Sequence, residues 1–125
     1  MAVKVLLAEN TAVLQRAIKS FLQAQDEVVV IEIVSDLPTA IARKREFQPD
    51  IVILNLDICD KDGVRLEDVR GLSEGPVLVA VTLGSDTESA AELAASIGAS
   101  KMIDVMDLVE QLMPTIMELS PVRPS

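Results

Sequence analysis

The stretch Pro49–Gly63, which reads PDIVILNLDICDKDG, decides the fold. Its aliphatic run Ile51–Leu54 is short and continuous, which is typical of a strand buried on both faces of a sheet. A polar loop follows at once and carries Asn55 and Asp57 near its start. In an open parallel sheet, ligands bind in the crevice outside the carboxyl ends of the strands. We therefore expect a functional site in this loop.

Outside this stretch, short apolar runs alternate with segments of helical periodicity. The other strands are predicted over Val3–Ala8, Val28–Val34, Pro76–Val81 and Lys101–Val105. Segments with helical periodicity come after Thr11, Asp36, Gly63, Ser85 and Val105. Ser85–Glu88 fits a capping box at the start of the fourth helix. Pro114 is predicted to kink or restart the last helix. One helix in each crossover predicts a doubly wound α/β domain with a five-stranded parallel sheet and five helices.

Length and composition restrict the possible functions. The 125 residues suit one domain over residues 1–119, with 120–125 as a tail or the start of a linker. The net charge of −9 repels phosphate backbones, so we expect no direct contact with nucleic acid. Histidine is absent, which removes the commonest general base. A lone Cys59 and the lack of a membrane-length apolar run fit a cytoplasmic protein.

Several short motifs, by their order and spacing, carry a resemblance to a known family. They are Leu7-Ala8-Glu9-Asn10 after the first strand, Asp62-Gly63 after the third, Thr82 ending the fourth and Gly98-Ala99 before the fifth. Over essentially its full length the chain resembles the receiver domain of two-component response regulators. Its opening looks most like receivers that precede helix-turn-helix DNA-binding domains. The resemblance implies a flavodoxin-like sheet with strand order 2-1-3-4-5.

The resemblance also implies a particular chemistry. In that family, an Asp at the end of strand three accepts a phosphoryl group from a histidine kinase. That Asp and two acidic residues after strand one hold Mg²⁺, while a Ser or Thr and a Lys contact the phosphoryl oxygens. The carboxylate is the nucleophile, and the metal and ammonium charges stabilise the anionic oxygens during transfer.

Carried over residue by residue, this set is depleted. The resemblance places Asn55 at the acceptor position, Glu9 and Asn10 at the acidic positions, Thr82 at the hydroxyl position and Val105 at the lysine position. An amide is a far weaker nucleophile than a carboxylate, and a single carboxylate should hold Mg²⁺ poorly. An engineered Asn55 would leave Asn10 and Val105 unexplained. We therefore predict a natural degenerate pocket with no active catalytic residue, no metal and no cofactor.

An alternative keeps the reaction. Asp57 lies two residues after Asn55 and could share its facing, so it could accept a phosphoryl group with Mg²⁺ held weakly by Glu9 and Asp57. The family uses only the backbone carbonyl at that position, which favours a solvated loop carboxylate. A third reading, a flavodoxin-type ligand domain, lacks the Gly/Ser/Thr-rich phosphate cradle after strand one.

The methionines near the C-terminus suggest how such a domain could act. Together with Leu112 and Ile116, Met102, Met106, Met113 and Met117 could give an adaptable apolar surface, although ordinary core packing is favoured for each of these residues taken singly. Receivers often dimerise on this side, so the resemblance implies a homodimer through helix 4, strand 5 and helix 5. It also implies an effector, either a C-terminal DNA-binding domain or a separate protein, and hence transcription regulation through protein contacts.

Overall fold

A computed structural model of the chain describes residues 2–60, 65–82 and 87–119. Within these ranges, five strands alternate with five helices. The strands are β1 Val3–Ala8, β2 Val28–Val34, β3 Ile51–Asn55, β4 Val77–Thr82 and β5 Lys101–Asp104. The helices are α1 Ala12–Gln23, α2 Leu37–Phe47, α3 Leu66–Arg70, α4 Thr87–Ser96 and α5 Leu108–Leu119. Short 3-10 turns span Leu56–Asp60, Gly71–Ser73 and Val105–Asp107.

The strands form a single parallel sheet in the order β2-β1-β3-β4-β5. This arrangement confirms the predicted doubly wound α/β fold, including its strand order. All five residues of β3 are buried, as expected for the central strand of a sheet covered on both faces. None of the helices in the described ranges is long and apolar enough to cross a membrane.

The core has two layers because successive side chains of each strand point to opposite faces of the sheet. On one face, Leu6 and Ala8 of β1 pack with the buried side chains of α2, α3 and α4. On the other face, Val5 and Leu7 pack with those of α1 and α5. The sheet is therefore held between two apolar layers, and its carboxyl edge is left for a site.

The ends of the elements correct several predicted boundaries. β4 begins at Val77 and includes Thr82, and β5 ends at Asp104 rather than at Val105. Pro114 is exposed and α5 continues through it, so the helix does not restart there. The predicted turn at Asp62-Gly63 and the capping box from Ser85 lie outside the described residues.

Two helix ends show how local sequence fixes the fold. Asp36 caps α2, since its Oδ1 accepts a hydrogen bond from the Thr39 N–H at 2.8 Å. After α4, Ala99 N–H bonds to the Ala94 carbonyl at 3.0 Å while Gly98, at φ +82°, turns the chain. A Cβ at Gly98 would lie 2.7 Å from Ser73 Oγ, so this tight turn into β5 requires glycine.

Candidate functional site

The strand register sets the singled-out residues side by side at the carboxyl edge of the sheet. Ala8 pairs with Leu54, so the next residues, Glu9 and Asn55, follow at the same level. On the next strand, Asn55 pairs with Val81, and Thr82 is the residue after Val81. Thr82 in turn pairs with Asp104, which directly precedes Val105. The register therefore brings Glu9, Asn55 and Thr82 to the same edge of the sheet.

Glu9 and Asn55 are in direct contact inside this edge. Their side chains are buried, with relative exposures of 0% and 1%. The Nδ2 atom of Asn55 lies 2.8 Å from each carboxylate oxygen of Glu9. The Thr11 backbone N–H adds a hydrogen bond to Oε1 of Glu9 at 3.0 Å. Burial of a carboxylate costs folding free energy unless hydrogen-bond donors surround it, and the Asn55 amide is one of these donors.

The other end of the Asn55 amide is also engaged. Its Oδ1 accepts a hydrogen bond from the Asp57 backbone N–H at 2.9 Å. This Asx-type turn begins the 3-10 turn Leu56–Asp60. Because one end of the amide faces a carboxylate and the other faces an N–H, its orientation is fixed. Asn55 therefore joins Glu9 to the loop after β3.

The remaining predicted residues divide into two groups. Thr82 is buried at the end of β4, and Asp57 is half-buried in the 3-10 turn. Val105 is half-buried and packs against the core on the α1 and α5 face. Asn10, in contrast, is exposed. The structure thus brings Glu9 and Asn55 together but leaves Asn10 outside their pair.

Two side chains that support the site were missed by sequence reasoning. Gln15 in the first turns of α1 donates its amide to the Glu9 backbone carbonyl and to the Ser35 hydroxyl, the latter at 3.1 Å. Asp104 accepts from the Met106 N–H at 2.9 Å and so shapes the turn that contains Val105. Glu9 follows β1 and Gln15 lies six residues later in α1. Their contact depends on how the chain turns between strand and helix, so the sequence spacing alone does not predict it.

The donor set does not suit a divalent cation. Within residues 2–60, 65–82 and 87–119, no three His, Cys, Asp or Glu residues group in a way that could hold a metal. Both oxygens of Glu9 already accept from Asn55. Mg²⁺ is held octahedrally by oxygens, usually one or two free carboxylates together with waters, and the one buried carboxylate here is already engaged by the Asn55 amide. The residues present therefore do not fit the Mg²⁺ that this type of pocket would hold.

Comparison with known families places the chain. A family model described as the response regulator receiver domain matches residues 5–112. The chain belongs to that family. As a receiver domain, it functions in two-component signalling.

Two curated relatives of the receiver are methylesterases. The protein-glutamate methylesterase/protein-glutamine glutaminase 3 of Syntrophomonas wolfei is 27% identical over 62 residues, which cover 50% of this chain and 18% of that protein. The Vibrio parahaemolyticus protein-glutamate methylesterase/protein-glutamine glutaminase is 22% identical over 108 residues, which cover 86% and 26%. The receiver thus spans about a quarter or less of the length of these curated relatives.

Solved structures share the fold across the whole receiver. The response regulator domain of Thermotoga maritima CheB superposes with a TM-score of 0.82 at 16% identity, covering 99% of this chain and 100% of that one. A LuxR-family DNA-binding response regulator from Staphylococcus aureus gives 0.79 at 17% identity, covering 94% and 98%. At these identities the likeness shows the fold.

Proposed function

We propose that this receiver signals through protein contacts that do not depend on aspartyl phosphorylation. The observation that carries the proposal is the position of the Asn55 amide. Its nitrogen lies 2.8 Å from both Glu9 oxygens, and its oxygen accepts from the Asp57 N–H at 2.9 Å. A residue held in this way at the acceptor position acts as an internal bridge.

The chemistry of the pocket supports the same proposal. Phosphoryl transfer to a protein needs a nucleophile, and the amide oxygen of Asn55 has neither the charge nor a free approach. The anionic oxygens in transit need cationic stabilisation. The position that resembles the family's lysine holds Val105, and the donor set does not suit Mg²⁺. The described residues of the pocket therefore lack a good nucleophile at Asn55, a cationic side chain at Val105 and a donor set for the metal ion.

The competing function is phosphorylation of Asp57. One observation favours it: Asp57 is half-buried and lies beside Asn55, since the Asp57 backbone N–H donates a hydrogen bond to the Asn55 side-chain oxygen. Against it, the side chain belongs to a 3-10 turn rather than to the strand, and Glu9 is already occupied by Asn55. Asp57 would therefore have to accept the phosphoryl group without a Mg²⁺ ion held by Glu9.

A mass measurement separates these two functions. The protein is incubated with acetyl phosphate and Mg²⁺ beside a receiver that has the acceptor Asp, and intact mass is recorded. We expect a phosphoryl adduct on that control receiver and none on this chain. An adduct that disappears in Asp57→Ala but persists in Asp26→Ala, a change to an exposed Asp elsewhere, would establish the competing function.

The output we propose is contact with an effector in the cytoplasm. A DNA-binding domain linked to the receiver, as the LuxR-family name of the Staphylococcus aureus regulator suggests, would make the output transcription regulation. A separate effector protein would serve the same purpose. The homodimer predicted for the helix 4, strand 5 and helix 5 side stays a prediction.

A further inference from the structure

Beside the face that α5 buries in the core, the helix and the 3-10 turn before it carry a second apolar side, of which Met113 also packs against the core. Leu108, Leu112 and Ile116 are buried against the sheet. A second set, which we name the α5 stripe, consists of Met106, Val109, Met113 and Met117. Met106 is 86% exposed, Val109 71% and Met117 38%, while Met113 is half-buried. Met106 lies in the 3-10 turn that leads into α5, and steps of three, four and four residues continue the stripe from there along one side of the helix.

An acidic row runs beside the α5 stripe. Asp107, Glu110 and Glu118 each come one residue after a member of the stripe, and all three are exposed. A one-residue step turns a helix by about 100°, so Asp107 and Glu110 lie beside one end of the stripe and Glu118 beside the other. In the part of the chain that the structure describes, the ion pairs involve only α2 and β2, so these carboxylates have no cationic partner there.

Charge decides which occupant suits this surface. Residues 87–119 carry six carboxylates and one cation: Glu88, Glu92, Asp104, Asp107, Glu110 and Glu118 against Lys101. A second copy of the chain would bring the same carboxylates to the interface, and like charges across an interface oppose association. A partner with Lys or Arg beside its apolar residues would meet both rows at once. The predicted homodimer on this side is therefore the less favourable occupant.

We propose that the α5 stripe binds a cationic amphipathic helix of a partner protein. The apolar side of that helix would cover Met106, Val109 and Met113, and its Lys or Arg residues would lie against Glu110 and Glu118. Methionine suits this use because its flexible thioether adapts to the partner's shape. Helix-in-groove recognition reads apolar anchors at the same spacing. The inference rests on the proposed function, since it names the partner class for contacts that replace phosphorylation.

A model peptide tests the chemistry. The probe is a fluorescein-labelled helix of about 18 residues, long enough for five turns, built from Leu at the stripe spacing and Lys elsewhere. A matched peptide replaces every Lys with Glu. Binding is followed by fluorescence anisotropy, and its place by methyl NMR of the methionines and valines. We expect the Lys peptide to bind, to weaken with added salt, and to shift the methyl signals of Met106, Val109 and Met113, and we expect the Glu peptide not to bind.

A matched pair of variants fixes the location. Val109→Ser lies in the stripe, and Val13→Ser alters a valine that is 74% exposed on α1, close to the 71% of Val109. Loss of buried apolar area should weaken binding by about fivefold or more in Val109→Ser and leave Val13→Ser unchanged. Glu110→Gln with Glu118→Gln should lower affinity by about threefold at low salt and flatten the salt dependence.

Three results would overturn the inference. Equal binding of the Lys and Glu peptides would show that charge does not select the partner. Methyl shifts confined to regions outside α5 would place the site elsewhere. A dimer in sedimentation velocity that Val109→Ser dissolves and Val13→Ser does not would assign the stripe to a second copy. A phosphoryl adduct in the mass experiment would instead remove the proposed function while leaving these peptide results to stand by themselves.

Discussion

The pocket at the end of β3 and the outer side of α5 use their side chains in opposite ways. In the pocket, Glu9 and Asn55 are buried and satisfy each other, and no buried side-chain nitrogen or oxygen in the described residues lacks a partner. In the α5 stripe, Met106 and Val109 are largely exposed beside exposed carboxylates. The difference is that the polar side chains of the pocket find their partners inside the fold, whereas apolar and charged side chains on the outer side of α5 face the solvent.

The physical reason for the difference is the burial of one charge. A carboxylate with no exposure needs hydrogen-bond donors around it, and the Asn55 amide and the Thr11 N–H supply them to Glu9. The exposed side of α5 carries no such demand, since removal of a solvent-exposed side chain changes little in the folded state. Substitutions in the pocket should therefore lower the free energy of unfolding much more than substitutions on the exposed side of α5.

The largest effect should come from breaking the pocket with Asn55→Asp. The variant sets a second carboxylate against Glu9 in a buried place and removes the amide donor, so two like charges lie together without a compensating partner. We expect a loss of about 3 kcal/mol in the free energy of unfolding near neutral pH, measured by urea denaturation with a chelator present.

Asn10→Asp is the control, since Asn10 is exposed next to Glu9 in sequence and stands outside the pair. Its effect should stay within about 0.5 kcal/mol. If Asn55→Asp proved as stable as the parent chain, the Glu9–Asn55 contact would have no structural importance.

The two faces of α5 offer the next comparison. Leu112 is fully buried, and Leu112→Ala should lower the free energy of unfolding by about 2–4 kcal/mol through lost burial and a cavity. Val109→Ser, on the same helix, should change it by less than about 0.5 kcal/mol. Thermal and urea denaturation of both variants check this. Similar losses for the two would mean that the stripe is part of the core in solution.

The smallest effect sharpens the contrast between buried and exposed carboxylates. Hydrogen bonds from the Thr39 backbone and side chain lower the pKa of Asp36 from its ordinary 3.8, while slight burial opposes them. The folded-state pKa is depressed, so the contribution of this cap is present above pH 3.8 and is lost as pH falls through the lowered pKa.

Asp36→Ala should therefore cost about 1 kcal/mol or less in the free energy of unfolding at neutral pH, and less still at a pH below the lowered pKa, where the charge is lost. Asp36→Asn keeps an acceptor for the Thr39 N–H without the titration, so it should retain most of the cap at both pH values. A cost for Asp36→Ala that stayed constant across this pH range would show that the carboxylate charge has no part in the cap.

How much the sequence could predict differs between backbone and side chains. Aliphatic runs such as Ile51–Leu54 report burial directly, so the sheet and its edge follow from the pattern. The bond from Asn55 to Glu9 joins residues 46 positions apart, and neither the amide's orientation nor the help from Gln15 appears in any local pattern. Val105 leaves the predicted strand because the Asp104 side chain accepts from the Met106 N–H, a contact that depends on the turn itself.

The most direct test of the central claim is an NMR titration of the pocket. Backbone amides of Asn55, Thr82 and Val105 and the side-chain NH₂ of Asn55 are followed as Mg²⁺ and then beryllofluoride are added. A receiver with the acceptor Asp is titrated in parallel and should shift strongly. The closed Glu9–Asn55 pair predicts that the signals of this chain stay in place, and saturable shifts at these residues would contradict it.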